Sequence, residues 1–195
     1  MFLRWPFKIV MKLASLVVTA AVVYFIVSGV QVVLGAKLPQ GTKALKSAAT
    51  ILVLGSSTDQ SPASADLVNR LEEGLNCFHA HLAPTLTVTG AVAEAWLEQN
   101  GVLSSDIQIT DGANTASQLH AVANKIGANQ KVIIVTDAMD AYWVRGTAVH
   151  YRLLPQIAPA LESERPFYDQ IGTVLSQAGA VAVGRIIGFE RATWA

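Results

Sequence analysis

Twenty-four consecutive residues without a charge, Leu13 to Ala36, set the first constraint on this chain. The run reads LASLVVTAAVVYFIVSGVQVVLGA. As a helix it is about 36 Å long, against about 30 Å for the hydrocarbon core of a bilayer. Within lipid every backbone N–H and C=O must be bonded inside its own segment, and a helix achieves this. Lys8 and Lys12 stand before the run and Lys37 after it, placed to snorkel toward headgroups, and Trp5 suits the interfacial belt. The run outlasts the 7–15-residue apolar core of a secretory signal, which favours a retained anchor. A leader cut near Val27-Ser28-Gly29 or Leu34-Gly35-Ala36 and a buried core helix are the rival readings. Arg4, Lys8 and Lys12 precede the run and Lys37, Lys43 and Lys46 follow it, so the basic residues barely bias its orientation.

Charge then divides the chain. Residues 1–49 hold those six basic residues and no acid, whereas all 14 acidic residues lie in 50–195 and leave that part with a net charge of −6. A body of that sign carries no basic patch for nucleic acid. A single cysteine, Cys77, excludes an internal disulfide and a Cys-rich metal site. The organisation expected is an anchor over 1–36, a basic connector over 37–49 and one α/β domain over 50–195.

The domain alternates short apolar runs with amphipathic ones. Thr50–Gly55, Thr85–Gly90, Ile107–Thr110 and Lys131–Thr136 read as strands. Ala65–His81, Ala91–Asn100, Asn114–Ala128, Ala141–Tyr151 and Phe167–Ala178 read as helices, with Leu153–Ala158 a short extended piece and Ala180–Glu190 helix or strand. Strands separated by helices of 10–15 residues imply βαβ units and a parallel sheet covered on both faces, a Rossmann-like arrangement.

In such sheets ligands bind beyond the carboxyl ends of the strands. That rule selects Gly55, Ser56, Ser57 and Thr58, then Thr89 and Gly90, then Thr110, Asp111 and Gly112, and then Thr136 with Asp137. Small residues there free backbone N–H groups for an anion, and hydroxyls add donors. The Gly55-Ser56-Ser57 turn is neither a dinucleotide fingerprint nor a Walker loop. Arg70 is placed to reach an anion at this rim, the alternative being an ion pair with Asp66 or Glu73 along its helix. Glu94 opens the second helix. Asp111, Asn114 and Thr115 precede the third, where capping explains such residues. Asp137 and Asp140 follow the strongest strand and suit capping, a hard cation or acid–base work. Arg145 lies on the next helix. The four histidines form no site by spacing, and Cys77 reads as core filler.

The order of these motifs is familiar. ILVLGSS, Ser-Pro-Ala-Ser with Arg70, TVTG, Glu94-Ala95, Asn114-Thr115 and VIIVTDA with Arg145 together resemble the SanA/YdcF/ElyC-like bacterial family from about Ala49 to Arg152. The resemblance implies a Rossmann-like fold with a polar cleft and work in the cell envelope, on barrier integrity and cell-wall precursor or lipid-carrier metabolism. Some soluble members are linked to S-adenosylmethionine. The motif positions carried over are Gly55, Ser56, Arg70, Thr89, Gly90, Glu94, Thr115, Thr136 and Arg145. This chain has Asp140 where the family usually has His, and Ser117-Gln118 where it usually has Glu-Asn. Its loop after Thr89-Gly90 is also shorter.

The expectation is therefore a single-pass cell-membrane protein with an extracytoplasmic domain that binds an anionic small molecule of sugar-phosphate or lipid-carrier type. Gly55, Ser56, Ser57, Thr89, Gly90, Thr115 and Thr136 would supply donors, and Arg70 and Arg145 countercharge. Two alternatives stand beside it. One is phosphate-ester hydrolysis or transfer with Glu94, Asp111 or Asp140 as base and a divalent cation assisting; the other is a non-catalytic scaffold. The sequence identifies no cofactor.

Overall fold

The computed structural model describes residues 4–36, 42–55, 63–160 and 167–188. Five strands, β1 (Thr50–Val53), β2 (Leu86–Val88), β3 (Ile107–Ile109), β4 (Lys131–Asp137) and β5 (Leu154–Ala160), form one sheet in the order β3-β2-β1-β4-β5. All neighbouring pairs are parallel. Among the described residues six α-helices accompany them: α1 (Arg4–Ala36), α2 (Ala65–His79), α3 (Ala91–Gln99), α4 (Thr115–Ile126), α5 (Ala141–His150) and α6 (Phe167–Ile187). The expected Rossmann-like α/β fold with one apolar N-terminal helix is present.

Alternation along the strands divides the core in two. Ile51, Val53, Ile133 and Val135 face α2 and α3, packing on Leu67, Leu71, Ala93 and Leu97. Leu52, Val132 and Ile134 face the other way, onto Leu119 and Val122 of α4 and Trp143, Val144 and Ala148 of α5. Both faces are apolar because helices cover both, which is why β1 and β4 read as unbroken apolar runs. Gly74 lets α2 lie close to the sheet: a Cβ there would sit 2.5 Å from Val53 Cγ2.

β5 takes the edge, and its composition explains why. The Leu154 N–H donates to Gln130 O at 2.9 Å, so the alternate positions 155, 157 and 159 turn their backbone nitrogens away from β4. Pro155 and Pro159 occupy two of these positions, where a missing N–H breaks no ladder and blunts the open edge.

Residues 45–49 are bound to the domain. Ala48 N donates to Leu82 O and Ala49 N to Lys131 O, and the Gln156 side chain clasps the backbone of Lys46 at 2.7 and 2.8 Å. α1 is likewise in contact with the domain at one end. Most of it is exposed, from Val10 at 61% to Leu34 at 61%, yet Ser28 and Val32 are buried. Val32 joins the core beside Ala180 and Val181 of α6, and Tyr24 donates its hydroxyl to Ala182 O at 3.2 Å. One helix is thus long and apolar enough to cross a membrane, over Val10–Leu34. α6 is continuous across the point where the sequence suggests a division; its Ala-Gly-Ala-Val stretch holds no proline, and the single Gly179 weakens the helix without ending it.

Candidate functional site

The strand order reverses between β1 and β4: the chain proceeds from β1 to β2 and β3 on one side, then returns to place β4 and β5 on the other. Such a switch point opens a crevice at the carboxyl edge. The structure puts Leu54 and Gly55 there from β1, Thr89 and Gly90 from β2, Thr110 and Asp111 from β3, and Asp137 from β4.

Two side chains organise this edge. Gln118, in the first turns of α4, is fully buried. Its amide closes on Gly55 as a strand partner would: Nε2 donates to Gly55 O at 3.1 Å and Oε1 accepts from Gly55 N at 3.3 Å. Nε2 also donates to Gly112 O at 3.3 Å, which ties the loop after β3 to the end of β1. Gly112 has to be glycine for this approach, because a Cβ would lie 2.7 Å from Gln118 N. Sequence reading passed over Gln118 as a departure from a family pattern. The signal was an amide beside the apolar stripe of Leu119, Val122 and Ile126.

Arg70 reaches the same edge from α2, over the opposite face. Its Nη1 donates to Leu54 O, its Nε donates to Asp66 O at 3.1 Å and stands 3.5 Å from Asp137 Oδ1. The two side chains are 12% and 25% exposed. Arg70 thus reaches the rim, where the Asp137 carboxylate of the neighbouring β4 lies within ion-pair distance, while the Asp66 carbonyl of its own helix also accepts from it.

β2 brings the third element. Thr89 Oγ1 is buried and has no hydrogen-bond partner among the described residues. It precedes Gly90, whose φ of +82° is a conformation glycine adopts readily and which forms the N-cap of α3 without a side-chain bond. α2 is capped by Ser64, whose side chain accepts from Leu67 N, and α4 by a reciprocal Asn114–Ser117 capping box. Among the described residues, α3 therefore presents its first-turn N–H groups without a side-chain cap beside that hydroxyl, an arrangement suited to an anion.

The other expected residues fall as follows. Glu94 is half-buried in the first turn of α3. Asp111 is exposed at the end of β3, beside β2. Thr115 is half-buried as the first residue of α4, and Thr136 is buried on the face covered by α4 and α5. Asp140 stands at the N-cap position of α5 without a capping bond and accepts from Gln177 Nε2 of α6 at 2.6 Å. Arg145 is exposed on α5, which covers the opposite sheet face from α2, so it does not share Arg70's side of the sheet. Ser56, Ser57 and Thr58 lie outside the described residues. Among the described residues, the rim brings together Gly55, Arg70, Thr89, Gly90, Glu94 and Asp111, and sets Asp140, Thr136 and Arg145 apart. A shallow hollow of about 320 Å³ lies at the other end of the sheet, bounded by Ser47, Asn129, Gln130 and Lys131.

Cys77 is fully buried, and burial followed by the charge of Glu73 pushes its thiol up to about 12, so it is core and not a nucleophile. Burial also holds the Glu73 carboxyl above its ordinary value of 4.5, outweighing a hydrogen bond from Asn76. A carboxyl raised by folding favours the folded state while protonated, and that contribution disappears as pH climbs through the folded value. Glu73→Gln is expected to raise the unfolding temperature at pH 7 and leave it unchanged below pH 4. Equal changes at both pH values, read by thermal denaturation, would contradict this.

Comparison with known proteins finds no matching family model, no matching curated protein and no matching solved structure.

Proposed function

We propose that the protein is a membrane-anchored component of the cell envelope whose α/β domain binds an anionic small molecule, of sugar-phosphate or lipid-carrier type, at the carboxyl edge of its sheet. The observation that carries this is the N-terminus of α3, without a side-chain cap, beside the Thr89 hydroxyl, which has no partner among the described residues. A phosphate there would accept from the N–H groups of the first turn and from Thr89, in the field of the helix dipole. Arg70 acts from across the β1 end. Its charge is shared with Asp137, so it tunes the field of the rim more than it supplies a free cation. The resemblance to SanA/YdcF/ElyC-like proteins supports the envelope setting and with it an extracytoplasmic domain, and the apolar α1 supports the anchor. The phosphate-transfer alternative now rests on Glu94, the acid that shares the α3 N-terminus with Thr89.

Calorimetric titration of the full chain in detergent with glucose 1-phosphate, with glucose as the neutral control, tests this reading. Thr89→Val is expected to weaken the phosphate by about tenfold or more, the effect of one hydrogen bond to a charged group. Unchanged affinity in the variant, or glucose binding as well as its phosphate, would contradict it.

A further inference from the structure

We infer that α6 is a second membrane-embedded helix, its outward face lying among the acyl chains beside α1, so that the pair and not α1 alone seats the protein in the bilayer. This rests on the anchor reading of α1. Lys12 is the last charge before the apolar run and marks where hydrocarbon can begin. From Leu13, about 20 residues are needed to cross about 30 Å, which brings the far boundary to Val32. Only Leu13–Val23 stands clear of the rest of the protein, about 16 Å of helix. In the remaining stretch α1 meets α6, and also α5 and residues 138–140: Tyr24 bonds Ala182, Gly29 would place a Cβ 3.8 Å from that of Ala178, and Val32 belongs to the buried cluster that holds Val181 and Trp143. A bilayer deep enough to cover this span covers what is packed beside it.

α6 is built for that position. Gln170 to Gly184 carries no charge, and Leu175 and Ile186 are 54% and 74% exposed. Phe25, Ile26, Val30 and Leu34 of α1 stay exposed along the same stretch, so apolar surface flanks the helix–helix contact. Arg185 ends the uncharged part of α6. Its guanidinium bonds Gln31 and the Tyr142 hydroxyl and lies 5.3 Å from the centre of the Tyr142 ring. Gln31 is one residue short of the boundary counted from Lys12, and a cation held there with an amide and an aromatic ring suits the headgroup level.

The test places a fluorescent label on single introduced cysteines in the full chain, reconstituted in phosphatidylcholine vesicles. Cys77, buried and with a thiol pushed up to about 12, stays unlabelled. The positions are Leu175→Cys and Ile186→Cys, with Leu16→Cys as the span control and Val149→Cys, on exposed α5 surface, as the aqueous control. Brominated lipid is expected to quench the Leu175 and Ile186 labels several-fold more than the Val149 label, and aqueous iodide several-fold less. Labels at 175 and 186 that behave like the one at 149 overturn the inference. So do labels shielded from iodide but untouched by brominated lipid, which would mean that a second protein copy covers α6. Should the Leu16 label escape lipid quenching, the anchor reading itself fails; if it is quenched while 175 and 186 are not, only the α6 inference falls.

Discussion

Gln118→Leu is expected to cost about 3–5 kcal/mol of stability, the largest loss from any single uncharged substitution at the rim. Leucine keeps the bulk and the helix propensity, so the effect isolates the amide. Three backbone groups lose their partner at once: Gly55 N–H, Gly55 C=O and Gly112 C=O. Each unpaired group in a partly buried place costs about 1–3 kcal/mol, and water recovers part of the total. Gln118→Glu should not rescue the loss, because a carboxylate brings no N–H to the two carbonyls. Chemical denaturation of the full chain in detergent measures this. A loss below about 1 kcal/mol would mean that the end of β1 is held by other contacts.

Arg70→Met is expected to cost about 2–3 kcal/mol, less than a fully buried ion pair because Asp137 retains a quarter of its exposure. The substitution keeps most of the aliphatic stem and removes the donors to Leu54 and Asp66 as well as the charge opposite Asp137. Adding Asp137→Asn should recover part of the loss, since it removes the negative charge that Arg70 had faced. A double-mutant cycle is expected to give a coupling of about 1–2 kcal/mol. Additive costs would show that the two side chains act independently. The same substitution should weaken phosphate binding by severalfold only, since the Arg70 charge is already shared.

Several of these features were legible in the sequence for plain reasons. Strands β1 and β4 are apolar on both faces, and β1, β2 and β3 are each followed by small or polar residues, so the carboxyl edge could be identified without coordinates. Asn114 or Asp111 reads as the cap of α4, and Asn114 is the one that caps it. Other features depend on distance in space. Arg70 finds its charge partner in Asp137, 67 positions further on, where helical spacing offered only Asp66 and Glu73. β5 reads as a brief extended piece because its two prolines look like breakers, and their tolerance depends on which way an edge strand's nitrogens point. The docking of α1 left no periodic trace, because a helix apolar on every side shows no preferred face; Ser28, buried against the domain, was its one faint mark. Arg145 followed a strand end closely in sequence, but α5 carries it to the other side of the sheet.

Backbone amide chemical shifts during a glucose 1-phosphate titration of the ¹⁵N-labelled chain in nanodiscs test the central claim most directly. If the uncapped end of α3 is the anion site, the largest shifts fall on Gly90, Ala91, Val92 and Ala93, and they disappear in Thr89→Val. Shifts centred instead on Asn129, Gln130 and Lys131 at the opposite end of the sheet, or none near α3 at saturating phosphate, would contradict it.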